Sequence, residues 1–145
     1  MLIDILSGKH LLKGDNMKIH HIGYLVKNIE SAMKDFTALG YNLEDKICFD
    51  ELRCIDLCFM RSGEYLIELV MPKNESSIVW NLLKKNGIGP YHICYETDNL
   101  QASIELMKGR GYVELAEPQT AVGLSGRKVS FLTGRSVGMI ELVEV

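Results

Sequence analysis

The sequence of 145 residues contains no block of basic residues and no long apolar run. Sixteen Lys and Arg residues against nineteen Asp and Glu residues leave a net charge of -3, which excludes the electrostatic footprint of a nucleic-acid or anionic-membrane surface. No apolar run reaches the ~18 residues of a membrane span, and residues 1–16 mix charges with leucines, unlike a signal peptide. We therefore expect no nucleic-acid partner, no membrane partner and a cytoplasmic location.

Cysteine is also scarce, and its four positions show neither CxxC spacing nor the density of a disulfide-rich secreted protein. Cys48, Cys54, Cys58 and Cys94 are accordingly predicted to be reduced thiols in the core. A metal role for Cys54 and Cys58 is an alternative, but residues four apart on one strand lie roughly 13 Å apart, too far to share an ion. A content of 47% apolar and 24% charged residues is typical of an ordinary folded domain.

An internal repeat is the most informative feature of the sequence. A shift of 71 residues aligns residues 21–41 with residues 92–112 without a gap. Each copy contains a β-rich run, an asparagine suited to capping a helix (Asn28 or Asn99), about three helical turns, and a glycine followed by tyrosine. Two further strand-like runs follow in each copy, so each module is predicted to be βαβββ. These runs are residues 53–60 and 65–71 in the first module and residues 127–132 and 139–143 in the second.

The repeat also predicts the domain organisation. Residues 17–145 are expected to form one domain, with module one at 17–75, a connecting segment at 76–90 and module two at 91–145. Within the connection, residues 76–86 are predicted to be a short amphipathic helix that begins at a serine cap and ends before Gly87. Residues 1–16 lie outside the repeat and are treated as an N-terminal extension of unknown role.

Each module begins with a strand histidine and ends with a strand glutamate. His21 and Glu68 are 47 residues apart, and His92 and Glu141 are 49 apart. Two modules that pair about a pseudo-twofold axis would bring all four side chains together. Period-two alternation places both glutamates on apolar strand faces, where a carboxylate requires a partner, and two imidazoles with two carboxylates suit a divalent metal ion. The alternative is that these are ordinary half-buried strand residues. His20 is expected to point away from His21.

These features resemble the vicinal oxygen chelate superfamily, which includes glyoxalase I, methylmalonyl-CoA epimerase, extradiol dioxygenases and bleomycin- and fosfomycin-resistance proteins. The motifs that carry the resemblance are HIGYLV and HICYET at the module starts and IELV at both module ends. The resemblance covers residues 17–145. Residues 68–100 and the strand Gly126 to Leu132 are most similar to methylmalonyl-CoA epimerases and the glyoxalase-like bacterial proteins related to them.

The resemblance implies an α+β fold in which two βαβββ modules form a cupped, eight-stranded mixed sheet. It also implies one divalent metal ion per chain, nickel, cobalt, zinc or manganese, with ligands His21, Glu68, His92 and Glu141 on the inner face. Glutamate at position 68 favours the proton-transfer members of the superfamily over the oxygen-activating ones. Superfamily members often dimerise, so a homodimer is expected.

The implied function is metal-dependent proton transfer at a carbon next to a carbonyl, by an isomerase, epimerase or lyase. The small-molecule substrate would be an acyl-CoA, as for methylmalonyl-CoA epimerase, or a thiol adduct, as for glyoxalase I (lactoylglutathione lyase). Glu141 is the first choice for the catalytic base and Glu68 is its symmetry-related counterpart. Asp56 is not counted as catalytic, because a shift of one residue decides which face it occupies. The alternative is a non-catalytic binding protein of the bleomycin-resistance type.

Overall fold

The computed structural model describes residues 17–145, and these residues form ten strands, three α-helices and a short 3-10 helix at Val122–Leu124. The α+β class and the mixed sheet are as predicted. The helices are α1 (Ile29–Ala38), α2 (Trp80–Asn86) and α3 (Leu100–Gly109). The strands are β1 (Ile19–Leu25), β2 (Asn42–Leu43), β3 (Cys48–Asp50), β4 (Ile55–Ser62), β5 (Tyr65–Pro72), β6 (Gly89–Thr97), β7 (Val113–Glu114), β8 (Gln119–Ala121), β9 (Arg127–Gly134) and β10 (Gly138–Glu144).

The second strand of each module is broken into two short pieces, which is why the sheet has ten strands instead of eight. In module one the pieces β2 and β3 both pair with β4, and in module two the pieces β7 and β8 both pair with β9. In module two, Pro118 lies between the pieces and cannot donate a ladder hydrogen bond. The βαβββ order therefore holds in both copies, with an interruption at the same place.

The two modules meet at the centre of the sheet. The strand order is β2-β4-β5-β1-β6-β10-β9-β7, and the central neighbours β1 and β6 are antiparallel. On either side of this pair, β1 is parallel to β5 and β6 is parallel to β10. The first and last strands of the two modules thus lie side by side, in the pseudo-twofold arrangement that the repeat predicts.

Both module helices begin and end where the sequence indicates. The side chain of Asn28 accepts a hydrogen bond from the Ser31 amide at 2.9 Å, and Asn99 accepts one from the Ala102 amide at 3.0 Å. Both helices pack on the outer face of the sheet. The inner face and helix α2 form a separate apolar core that includes Leu57, Val70, Leu83, Val129 and Val143.

The connecting helix is shorter than predicted, because it begins at Trp80 and not at Ser76. The side chain of Asn74 accepts a hydrogen bond from the Ser76 amide at 2.9 Å. Such a local side-chain contact stabilises a turn in competition with a helix. The segment 74–79 accordingly forms turns, and the helix has no side-chain cap.

All four cysteines are free thiols, but only Cys58 and Cys94 are buried. Cys48 is half-buried and packs against the inner core, whereas Cys54 is half-buried outside it, so the prediction of a core position is wrong for Cys54. Cys54 has a positive φ of 54° and lies just before β4, whereas Cys58 lies within β4.

Of the helices in residues 17–145, none has the length and apolar character needed to cross a membrane.

Candidate metal centre

The four predicted site residues lie on the four central strands. His21 is on β1, Glu68 on β5, His92 on β6 and Glu141 on β10. The register brings them to one place, because Gly23 of β1 lies opposite both Glu68 and His92, and Cys94 of β6 lies opposite both His21 and Glu141. One atom from each of the four side chains lies within 4.8 Å of all the others.

Nitrogen and oxygen atoms converge closely at this point. Nε2 of His21 and Nε2 of His92 are 3.2 Å apart, and Oε1 of Glu141 is 3.2 Å from each of them. Oε1 of Glu68 lies 3.5 Å from the first imidazole and 3.8 Å from the second. The arrangement is a compact group of two imidazole nitrogens and two carboxylate oxygens.

The burial of this group makes a bound cation a good chemical fit. The exposed fractions are 1% for His21, 3% for His92, 4% for Glu141 and 8% for Glu68. Within residues 17–145, Oε1 of Glu141 receives no well-aligned hydrogen bond despite the nearby imidazoles. Buried carboxylates without such partners are costly, and mixed imidazole and carboxylate ligation suits first-row divalent metals. The four residues therefore have the chemistry to hold one divalent ion.

The electrostatics of the group also indicate a need for positive charge. Burial opposes the charged form of His21, but the carboxylates of Glu68 and Glu141 outweigh burial and raise the pKa of His21 to about 9. Burial likewise opposes ionisation of Glu141, but the two imidazoles outweigh it and hold the pKa of that carboxyl well below its usual range. A divalent ion would supply this positive charge in place of the imidazole proton.

His20 does not point away from His21, so that prediction is wrong. The pairing of β1 with β6 shifts register between Ile19 and His21, which leaves His20 as the extra residue of a β-bulge. Its Nδ1 lies 2.8 Å from Nδ1 of His21. Burial, and after it His21 and Arg127, lower the pKa of His20, so its neutral ring can accept a hydrogen bond. Nη2 of Arg127, which can only donate, lies 3.4 Å from Nε2 of His20, so the tautomer of His20 determines which ring donates in the contact with His21.

Two phenylalanines frame the imidazoles in equivalent positions of the modules. Phe59 on β4 packs edge-on against His21 at 5.2 Å between ring centroids, and Phe131 on β9 packs in the same way against His92 at 5.2 Å. Each phenylalanine lies opposite a candidate carboxylate in the sheet, Phe59 opposite Glu68 and Phe131 opposite Glu141. Apolar rings thus limit the orientations open to both imidazoles.

Gly23 is part of the site although the sequence analysis did not single it out. A Cβ atom at this position would lie 2.1 Å from Cε1 of His92 and 2.3 Å from its Nδ1. The ring of His92 therefore lies directly over the backbone of the neighbouring strand. The available signal was a break in the repeat, because the position of Gly23 in HIGY is occupied by Cys94 in HICY.

Asp56 lies on the opposite face of the sheet from the four-residue group. Its neighbours on β4, Ile55 and Leu57, belong to the inner core, and its carboxylate pairs with Lys73 at 3.1 Å. The register of β4 therefore excludes Asp56 as a base, which agrees with the prediction that it is not catalytic.

On the inner face, a small cavity reaches Glu68 and Glu141 and is also lined by Leu57, Tyr91, Phe131 and Arg53.

Paired βαβββ modules with a buried group of two histidines and two glutamates at their junction define a class of small α+β domains with a candidate metal centre. A family model described as the glyoxalase/bleomycin resistance protein/dioxygenase superfamily matches residues 20–131. The chain therefore belongs to that superfamily, which confirms the resemblance drawn from the motifs.

Within this superfamily, the chain is similar to proteins named as methylmalonyl-CoA epimerases. The chain is 28% identical to human mitochondrial methylmalonyl-CoA epimerase over 130 residues, covering 88% of this chain and 72% of the relative. It is also 28% identical to the ethylmalonyl-CoA/methylmalonyl-CoA epimerase of Cereibacter sphaeroides over 133 residues, covering 88% of this chain and 98% of the relative. The crystal structure of methylmalonyl-CoA epimerase from Mycobacterium tuberculosis superposes with a TM-score of 0.76 at 21% identity, covering 87% of this chain and 86% of that one. At 21% identity, the similarity to this crystal structure shows that the two proteins share a fold.

Proposed function

We propose that the protein is a divalent-metal-dependent epimerase that moves the proton on the carbon between the thioester carbonyl and the carboxylate of a malonyl-type acyl-CoA. The observation that carries the proposal is the buried convergence of His21, Glu68, His92 and Glu141 beside a cavity. Relatives that are methylmalonyl-CoA epimerases support this substrate class over the thiol adduct of a glyoxalase I.

The four side chains are proposed to hold one divalent ion, nickel, cobalt, zinc or manganese. When bound, such an ion would polarise the substrate carbonyl and so acidify the neighbouring C–H bond. The contact between Nδ1 of His20 and Nδ1 of His21 supports His21 in this role, because it orients the ring so that Nε2 faces the other three side chains.

Glu141 is proposed as the group that takes the substrate proton, with Glu68 as its counterpart. The two glutamates reach the site from β10 and β5, which flank the central pair β6 and β1 on opposite sides. Epimerisation requires removal of a proton from one face of the carbon and its return to the other face. Two carboxylates from equivalent positions of the two modules are suitably placed to divide these steps.

The cavity supports the proposal because its apolar walls can exclude water from the reacting carbon. Leu57, Leu124 and Phe131 line it together with the two glutamates. In such surroundings the acidified C–H bond is shielded from competing proton donors. The glyoxalase I reaction and simple ligand binding use the same fold, so the reaction itself must be measured.

Deuterium incorporation tests the proposed function. Protein stripped with a chelator and reloaded with a divalent ion is incubated with methylmalonyl-CoA in deuterated water, and mass spectrometry follows exchange at the carbon between the two carbonyl groups. We expect metal-dependent incorporation of one deuterium per substrate. The adduct of methylglyoxal and glutathione serves as the comparison substrate. Exchange no faster than the protein-free background would refute the proposal and favour the non-catalytic binding protein.

The remaining assignments stay predictions. We propose the division into modules at 17–75 and 91–145 around a connection at 76–90. Strand β6 begins at Gly89, within the last residues of that connection. A homodimer and a cytoplasmic location are likewise predictions from the sequence. The extension at residues 1–16 lies outside the described residues.

A further inference from the structure

Arg53 is a buried cation held rigidly beside the cavity. Its residue is 8% exposed, and Nη1 donates a hydrogen bond to Oδ2 of Asp50 at 2.7 Å. Nη1 also lies 3.4 Å from the carbonyl oxygen of Thr120, on β8 of the second module. Oδ1 of Asp50 accepts a further hydrogen bond from the backbone amide of Arg53 at 3.1 Å. Contacts from both modules therefore fix the guanidinium group in one place.

Most of the donors on this guanidinium group have no partner. Arginine carries five N–H groups. Within residues 17–145, Nη1 is the nitrogen of the Arg53 side chain with hydrogen-bond acceptors, and Nε and Nη2 have none. Neither nitrogen is among the fully buried side-chain atoms that lack a hydrogen-bond partner, so both can be reached by a ligand. An accessible pair of charged donors on a fixed arginine is suited to an oxygen-rich ligand.

The position of Arg53 connects this open edge to the candidate metal centre. Arg53 lines the small cavity that reaches Glu68 and Glu141. It also lines an adjoining, mostly apolar cavity of about 250 Å³. Ile55, Tyr91 and Phe131 line both cavities as well, so the two are neighbours. Arg53 thus lies at the junction between the reacting centre and the larger space.

We propose that Arg53, positioned by Asp50, determines substrate specificity by binding the carboxylate of the acyl group. The inference rests on the proposed function, because that function places a carboxylate next to the reacting carbon. The edge formed by Nε and Nη2 matches the two oxygens of a carboxylate, which arginine binds bidentately. A site that offers a charged donor pair favours a ligand with a carboxylate over an analogue that lacks one.

Binding of two unreactive CoA thioethers separates this role from catalysis. One probe carries a 2-carboxypropyl group and the other an isobutyl group, so that they differ in the carboxylate and share every phosphate. Calorimetry with the protein as purified is expected to show tighter binding of the carboxylated probe. Arg53→Met should weaken its binding by about 10- to 100-fold and leave the isobutyl probe unaffected. Arg61→Met is the matched control, because Arg61 is on β4 and pairs with Glu44 at the exposed edge.

A folding defect is controlled by a second variant. Arg53→Met leaves Asp50 as an uncompensated buried carboxylate, so the double variant Asp50→Asn/Arg53→Met, which removes both charges, should show the same loss of preference together with a cooperative melting transition. Equal affinity of the wild-type protein for the two probes, or an unchanged preference in both variants, would overturn the inference. An Arg53-dependent preference without deuterium exchange by the wild-type protein would refute the proposed function and support the carboxylate site.

Discussion

Glu141→Gln is expected to lower the rate of deuterium exchange by about 10²- to 10⁴-fold, the usual contribution of a general base. Glutamine keeps an oxygen atom that can contact a divalent ion but cannot take a proton at neutral pH. The metal content of the variant should therefore stay close to that of the wild-type protein. Exchange rate and metal content are measured on the same preparations, so that loss of the base is distinguished from loss of the ion.

Glu64→Gln is the control for this substitution, because Glu64 is exposed in the turn between β4 and β5. It should leave both the exchange rate and the metal content unchanged. A wild-type exchange rate in metal-loaded Glu141→Gln would show that Glu141 is not the base. Glu68 would then be the next residue to test, since Asp56 faces away from the site.

Gly23→Ala is expected to abolish metal binding because the added methyl group collides with the ring of His92. The new Cβ would lie 2.1 Å from Cε1 of His92, a distance that the ring can relieve by moving away from its present position. Movement of His92 removes one of the four converging atoms. We expect metal content to fall from about one ion per chain to background, with loss of deuterium exchange.

Gly109→Ala is the matched control, because a Cβ at Gly109, the last residue of α3, would have no neighbour within 4 Å. A double-mutant cycle shows whether His92 is the residue displaced. If the clash with His92 is the cause, Gly23→Ala should destabilise the wild-type protein but should cost much less in the His92→Ala background. Full metal content in Gly23→Ala would contradict the role assigned to this glycine.

Much of the architecture could be predicted because the repeat constrains it globally. Two copies of one module pair most simply about a pseudo-twofold axis, which places His21 with His92 and Glu68 with Glu141 whatever the details of the loops. Period-two alternation then assigns side chains to faces of a regular strand. The convergence of the four residues needed no further information.

The predictions failed where a single residue changes the local register or where residues far apart in the sequence are in contact. His20 was assigned to the wrong face because one extra residue in β1 breaks the alternation. Gly23 acts through a ring on the neighbouring strand, 69 positions away in the sequence at His92. Arg53 is recognisable only from its unpartnered nitrogens and the two cavities that it lines. Period and spacing do not report such contacts.

Metal stoichiometry tests the central claim, that four side chains from the two modules hold one divalent ion. Purified protein is stripped with a chelator, reloaded, passed through a desalting column and subjected to elemental analysis, alongside His92→Ala treated in the same way. We predict about one ion per chain in the wild-type protein, since the four atoms converge on one point. We predict a large loss in His92→Ala. Equal retention by the two proteins would contradict the account.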